Sequence, residues 1–235
     1  MNTAEKISLI YKVINYNLKI VFSNKFVYFL VAAWLFYLMV IGIMLFSESA
    51  PDNSDIFSTL IFPGILMMFY PLVYNIQNDK DSRMLEIIFG VPNYRYKVYL
   101  IRFAIALLML LAFLLLMAGF AWFAVLRIPV FEMVGKLMYP LVFLACLTFL
   151  FTTLIRNGNG SAVIMVIIGM IFFIFSEPLS YSKWNLFLNP FRLPTELSMT
   201  VWLNVIYQNH LMLAIGSIIA MLWGLMNLQY REKFI

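Results

Sequence analysis

Six long apolar runs divide this chain, and each approaches the roughly 20 residues that a helix needs to cross the hydrocarbon core of a bilayer. The runs are almost free of formal charge and are separated by short polar segments, which is typical of membrane-spanning helices. Because the number of spans is even, both termini are expected on the same side of the membrane. The predicted spans cover residues 26–46, 57–74, 101–126, 134–155, 161–175 and 211–228.

Two segments outside the spans also carry a helical pattern. Residues 3–24 place isoleucine and leucine side chains at helical spacing, which predicts an amphipathic helix in the inner membrane interface. In the outer loop, 177–210, Thr195 is a suitable N-cap for a short interfacial or re-entrant helix at the outer face. The expected fold is therefore all-α, with an N-terminal amphipathic helix over 1–25 and a single six-helix transmembrane domain over 26–235.

The amino-acid composition supports insertion into a membrane. Hydrophobic residues make up 64% of the chain and charged residues 11%, whereas a soluble domain carries roughly 25% charged residues. The chain is also too hydrophobic to be intrinsically disordered. The single cysteine, Cys146, cannot form an intramolecular disulfide. The first apolar run begins after residue 25 and no small-residue cleavage site follows it, so we expect a retained helix rather than a signal peptide.

The basic residues are distributed unevenly across the predicted topology. With the N-terminus inside, twelve lysine and arginine residues lie in inner segments and four lie in outer segments. The positive-inside rule therefore predicts that both termini are cytoplasmic. The net charge of +5 then reflects membrane topology, and no nucleic-acid partner is expected. The expected location is the cell membrane, the bacterial inner membrane in particular.

The sequence lacks the motifs of several enzyme and transporter classes. It contains no G-x-x-x-x-G-K-[ST], G-x-S-x-G or H-E-x-x-H motif, and its one histidine, His210, belongs to no cluster of metal ligands. Ion-coupled transporters usually need ionisable residues near the membrane centre. Here Arg102, Lys136 and Glu177 lie near span ends, where they are expected to snorkel to the interface. We therefore expect no catalytic or metal site, no cofactor in this chain, and an external energy source for any transport.

The inner loop, 76–100, is the largest inner segment after the N-terminus. From residue 78 it reads NDKDSRMLEIIFGVPNYRYKVYL: a charged stretch, an apolar patch, a stop at Gly90 and Pro92, and a basic restart. A short helix of this kind suits a surface that docks another protein, because an isolated apolar patch has to be covered. A solvated loop with topogenic lysines explains the same residues, and the composition leaves both interpretations open.

The order of these elements resembles the permease of a type-2 ABC exporter. That family carries a Pro-Gly early in the second span, an acidic E-R-E-x-G-T-L-E element after it, and a T-P-x-x-R element before the third span. This chain has Pro63-Gly64, then DKDSRMLE over residues 79–86 and VPNYR over residues 91–95. Arg83-Met84 departs from the pattern, since it stands where the family has Gly-Thr, so the local turn can differ there.

The resemblance implies a membrane subunit that is driven by a separate ATPase, which would hold ATP and Mg. The short helix in the 79–97 loop would be a coupling helix seated in a cleft of that ATPase, and the N-terminal helix would be a connecting helix. Leu85, Ile88 and Phe89 would fill the cleft, while Arg83 and Glu86 would make polar contacts. The residues implied for coupling are Asp79, Asp81, Arg83, Leu85, Glu86, Ile88, Phe89, Pro92 and Arg95.

The same resemblance makes Pro63, Gly64 and Pro71 hinge points of the second span, although ordinary use of proline in membrane helices explains them nearly as well. A second permease copy, identical or related, would complete the pathway, and the apolar spans hint at a lipidic or amphipathic cargo. The alternative is a non-transporting scaffold or sensory subunit that recruits a cytoplasmic protein through the same loop. An intramembrane enzyme is disfavoured, because no polar groups converge at one depth.

Overall fold

The computed structural model describes residues 24–46, 50–90, 94–194 and 197–229. Within these residues every regular element is a helix, and six helices are long and apolar enough to cross a membrane. The prediction of an all-α, polytopic membrane protein with six spans is confirmed at that level. Residues 1–23, which contain nearly all of the predicted N-terminal amphipathic helix, lie outside the described part of the chain.

Eight helices follow one another in the described residues. They are α1 (Asn24–Phe46), α2 (Asn53–Val73), α3 (Asn75–Asp81), α4 (Met84–Gly90), α5 (Tyr94–Ala124), α6 (Val130–Ile155), α7 (Gly158–Ser176) and α8 (Met199–Asn227). The short helices α3 and α4 and the α6–α7 turn lie at one end of the bundle, which we call the junction end. The opposite end carries the 177–194 segment, and we call it the loop end.

Polar side chains set several of the helix boundaries. The Asp52 carboxylate accepts a hydrogen bond from the Asp55 N–H at 2.9 Å, and the Asp55 carboxylate accepts one from the Asp52 N–H at 3.1 Å, which forms a capping box at the start of α2. At the junction end Arg156 terminates α6 in the left-handed conformation, with φ 58°. The side chain of Asn157 then accepts hydrogen bonds from two N–H groups in the first turn of α7. Only two residues therefore separate α6 from α7.

Helix α6 lies at the centre of the bundle, in contact with α2, α5, α7 and α8. Helix α8 approaches it through glycine. A Cβ at Gly216 would lie 2.7 Å from the Phe143 ring, and a Cβ at Gly224 would lie 2.6 Å from the Phe149 ring. Small residues at such contacts let helix axes come close, which matters in a membrane because packing rather than water exclusion drives helix association. Helix α6 is thus the framework that positions both ends of the bundle.

Helix α8 corrects the prediction for the outer loop. The short helix expected after Thr195 is not a separate element, because 199–210 forms the first turns of α8; Thr195 itself lies outside the described residues. With 29 residues α8 is about 43 Å long, whereas the hydrocarbon core is about 30 Å thick. The polar side chains of Asn204 and Gln208 indicate that the excess length lies at the loop end. The predicted sixth span, which begins at residue 211, is therefore only the apolar part of a longer helix.

The 177–194 segment folds into successive turns that are tied to two spans. The side-chain amide of Asn189 donates to the backbone oxygen of Ser54 at 2.8 Å and to its hydroxyl oxygen at 3.0 Å, at the start of α2. The side-chain amide of Asn209 in α8 donates to the carbonyl oxygens of Lys183 and Asn185, both at 2.8 Å. The two bonds from Asn209 satisfy carbonyl oxygens of the turn segment, and an unpaired buried polar group there would cost free energy. They also fix the segment in place across the loop end.

Candidate functional site

The loop that resembles the exporter motifs folds into two short helices at the junction end. Helix α2 ends at Val73, the chain bends at Tyr74, and α3 and α4 follow with a turn at 82–83 between them. Helix α3 contacts α2, α6 and α7, while α4 contacts α3 and α5. A single short helix is predicted here, and the structure has two that lie against the ends of the spans.

A buried ion pair joins α3 to α5. Asp79 Oδ2 lies 2.5 Å from Arg102 Nη1, and both side chains are only 3% exposed. The same nitrogen donates to Asn75 Oδ1 at 2.9 Å, and the ring centre of Tyr99 lies 5.9 Å from the guanidinium carbon. Two buried charges are costly to desolvate, so such a pair persists only with close geometry and additional hydrogen bonds. The ion pair therefore holds α3 against the third span.

The ion pair lies near the membrane boundary. Helix α2 runs for 21 residues, or about 32 Å, between the loop end and the bend that precedes α3. Arg102 precedes Ala124, the last residue of α5, by 22 positions, or about 33 Å. Both lengths slightly exceed the roughly 30 Å hydrocarbon core. Arg102 is thus near a span end, as predicted, but it does not snorkel outward, because its side chain turns into the protein toward Asp79.

The turn between α3 and α4 contains a residue in the left-handed conformation. Arg83 has φ 57°, a conformation that costs an L-residue about 1–2 kcal/mol and costs glycine almost nothing. The hydroxyl of Ser82 supports the turn by donating to the carbonyl oxygen of Asn78 at 2.7 Å. Arg83 occupies the position that corresponds to glycine in the exporter pattern. The turn therefore has the conformation that glycine favours, although the residue is arginine.

Helix α4 turns its apolar side inward. Leu85 and Ile88 are 5% and 1% exposed and belong to the continuous core of the bundle. The interpretation in which these two side chains fill a cleft of a partner protein is therefore corrected, because they are already packed inside this chain. The physical reason is that a short amphipathic helix buries its apolar side on the nearest surface, here the ends of α3 and α5.

The surface left open at the junction end is charged. Asp79 does not belong to it, because its carboxylate is buried against Arg102, and its assignment as a direct contact with a partner is corrected accordingly. Pro92 lies outside the described residues, as do the side chains of Phe89 and Arg95. The exposed charged residues of α3, the turn and α4 are Lys80, Asp81, Arg83 and Glu86.

The α6–α7 turn docks against the bend between α2 and α3. The Gly158 N–H donates to Gln77 Oε1 at 2.7 Å, and the Tyr74 hydroxyl donates to Asn159 Oδ1 at 3.2 Å. A Cβ at position 158 would lie 2.6 Å from both Gln77 Oε1 and Tyr74 Cδ1, so the close approach requires glycine. Helix α3 is thereby tied to the fifth span as well as to the third.

The three predicted hinge residues lie within one uninterrupted helix. Pro63 and Pro71 each remove a hydrogen bond from the ladder of α2, yet the helix continues through both. Gly64 serves close packing, since a Cβ there would lie 2.7 Å from Leu141 Cδ1 in α6. The bend in the chain comes three residues after Pro71, at Tyr74.

Sequence reasoning does not identify the partners within this site. It places Arg102 near a span end without pairing it with Asp79, although a charge at the end of an apolar helix is a signal for a nearby counter-charge. Gln77 and Gly158 carry no comparable signal, because a hydrogen bond between two distant turns leaves no pattern in a single sequence.

Comparison with known proteins gives no match: no family model, no curated protein and no solved structure matches the chain. Within the part of the chain that the structure describes, no group of three or more His, Cys, Asp or Glu side chains could hold a metal ion. What the arrangement offers is a mechanical connection. Helix α3 follows the second span directly, the Asp79–Arg102 ion pair joins it to the third span, and the hydrogen bond between Gln77 and Gly158 joins it to the fifth span.

Proposed function

We propose that this chain is the transmembrane permease subunit of an ATP-binding-cassette exporter, and that α3, the Arg83 turn and α4 are the element through which a separate ATPase drives it. ATP and Mg²⁺ bind to the partner, and two permease subunits together form the pathway. The charge distribution along the sequence favours cytoplasmic termini, which places the junction end on the side of the ATPase. The order of motifs from Pro63 to Arg95 supports the family assignment.

The left-handed Arg83 is the observation that carries this proposal. The resemblance aligns Arg83 with a family glycine, and a positive φ is the reason a turn selects glycine. Arg83 is therefore compatible with a turn that selects glycine for a positive φ. A solvated loop that only carries topogenic lysines has no need of two helices joined by a costly turn and anchored to three spans.

Recognition of the ATPase is polar in this proposal. Since Leu85 and Ile88 are internal, the exposed charges Asp81, Arg83 and Glu86 make the contacts. A displacement of α3 and α4 then passes to the third span through the Asp79–Arg102 ion pair. It passes to the fifth span through the hydrogen bond between Gln77 and Gly158.

Purification of the tagged protein from its native membrane in mild detergent tests the proposal. Co-purifying chains are identified by mass spectrometry, and ATP turnover of the complex is assayed. We expect a Walker-motif ATPase in near-stoichiometric amount. The Glu86→Arg variant should reduce its recovery or uncouple its turnover, because the change reverses an exposed charge without touching the core.

Glu177→Arg is the matched control, since Glu177 is an exposed glutamate at the loop end. Its recovery of ATPase should equal that of the wild type. If no ATPase co-purifies under conditions that keep other membrane complexes intact, the permease assignment fails and a scaffold that recruits a different cytoplasmic protein becomes the better interpretation. Equal loss in both variants would contradict the assignment of the coupling surface.

A further inference from the structure

A mostly apolar groove at the loop end has a lysine and a glutamine side chain in its lining. It has a volume of about 330 Å³, runs between the 177–194 segment and α8, and falls within the range of about 300–1,000 Å³ typical of ligand sites. Between Tyr207 and Ile215 the α8 wall descends about 12 Å toward the membrane centre. Lys183 and Trp184 line it from the 177–194 segment, Tyr207 and Gln208 line it from the adjoining turns of α8, and Leu211 and Ile215 line it farther along α8.

The position of Lys183 beside α8 is fixed by a buried amide. Asn209 is 2% exposed, and it holds the carbonyl oxygens of Lys183 and Asn185 at 2.8 Å. The ammonium group of Lys183 lies 5.7 Å from the centre of the Trp184 ring. Among the described residues no carboxylate lies within 4.0 Å of this ammonium group.

We propose that this groove binds an anionic phospholipid of the adjacent leaflet, with the phosphate at Lys183 and Gln208 and one acyl chain along Leu211 and Ile215. The cation lies at the outer end of the groove, where headgroups lie, and Trp184 is an aromatic residue of the kind enriched at the membrane interface. The site is independent of the proposed transport function.

The depth profile of the groove identifies the occupant. A soluble anion would use the ammonium group and the amide but would leave the apolar wall of α8 without a partner. A zwitterionic lipid would cover that wall but would bring no net charge to the lysine. An anionic lipid matches both parts. A basic residue near the surface favours anionic lipid by about five-fold, which sets the size of the expected effect.

Quenching of Trp184 by brominated lipids tests the proposal. Wild-type protein and Trp184→Phe are reconstituted in phosphatidylcholine vesicles that contain increasing fractions of brominated phosphatidylglycerol or brominated phosphatidylcholine. The difference between the two proteins gives the Trp184 emission alone. We expect half-quenching at an about five-fold lower mole fraction of the anionic lipid. The Lys183→Gln variant is measured in the same way, with Lys183→Gln/Trp184→Phe as its background. Its ratio of half-quenching mole fractions for the two lipids should fall to about one.

Arg127→Gln is the matched control, because Arg127 is another exposed basic residue at the loop end and does not line the groove. It should keep the wild-type preference, as should Lys183→Arg. An equal preference for both lipids in the wild type would overturn the proposal. An equal fall in Arg127→Gln and Lys183→Gln would also overturn it, since general surface charge would then explain the result.

Discussion

Removing one partner of the Asp79–Arg102 ion pair should destabilise the protein strongly. In Arg102→Met a flexible apolar side chain occupies the space, but the Asp79 carboxylate stays buried without its cation. In Asp79→Asn the guanidinium group loses its ion pair with Asp79. Because both side chains are only 3% exposed, water cannot readily solvate the remaining charge. Breaking such a pair costs about 3–5 kcal/mol, and each variant should lose that much free energy of unfolding.

The double variant separates the ion pair from general damage to the packing. With both charges removed, no unpaired charge remains in the core, and the loss should be smaller than in either single variant. The interaction energy from the double-mutant cycle should then be about 3 kcal/mol or more, at the upper end for residues in contact. Independent packing defects would instead give losses that add.

The assay is a reversible titration of the purified protein with sodium dodecyl sulfate in mixed micelles, followed by far-UV circular dichroism. Glu132→Gln is the control, because it removes the more exposed Lys136–Glu132 ion pair at the loop end. That pair lies one helical turn apart, and its loss should cost only about 0.3–0.5 kcal/mol. Single-variant losses that add to within about 0.5 kcal/mol, or that are no larger than the loss in the control, would show that no strong buried ion pair joins Asp79 to Arg102.

Three further variants test individual backbone and loop contacts by the same titration. Arg83→Gly should gain about 1–2 kcal/mol by relieving the left-handed residue, whereas a similar gain in Arg83→Ala would contradict this cause. Gly158→Ala should lose stability through its clash at 2.6 Å, while Gly42→Ala, with open space around it, should gain about 0.5–1 kcal/mol. Asn189→Ala should lose about 1–3 kcal/mol with its bonds to Ser54, and an unchanged midpoint would contradict that anchor.

The spans can be predicted from the sequence because each is a continuous apolar run, and the bilayer fixes the length that such a run needs. The prediction fails at the start of α8, since Asn204, Gln208 and Asn209 interrupt the run although the helix continues through them. Those residues are tolerated because they lie beyond the hydrocarbon or, as with Asn209, donate to carbonyl oxygens. Hydropathy records composition along the chain and carries no information on such partners.

The residues proposed for coupling are harder to predict, for a different reason. The apolar pattern of Leu85 and Ile88 predicts that these side chains will be covered, but one sequence does not say whether the cover is the same chain or a partner. The structure assigns that role to the bundle itself. The same ambiguity applies to Asp79, since a carboxylate after a span suits a docking surface as well as a counter-charge for Arg102.

Internal packing of α4 gives the junction end its mechanical character. A coupling helix that merely rested on the bundle could be displaced by a partner without moving the spans. Here the apolar side of α4 continues into the core, and a buried ion pair holds α3 to the third span. The α6–α7 turn packs against Tyr74 and Gln77 through Gly158, a position with no room for a side chain. Packed interiors transmit displacement because they have little free volume in which to absorb it. A force on the exposed charges of α3 and α4 must therefore either move the ends of three spans together or break a buried charge pair, and breaking such a pair costs about 3–5 kcal/mol.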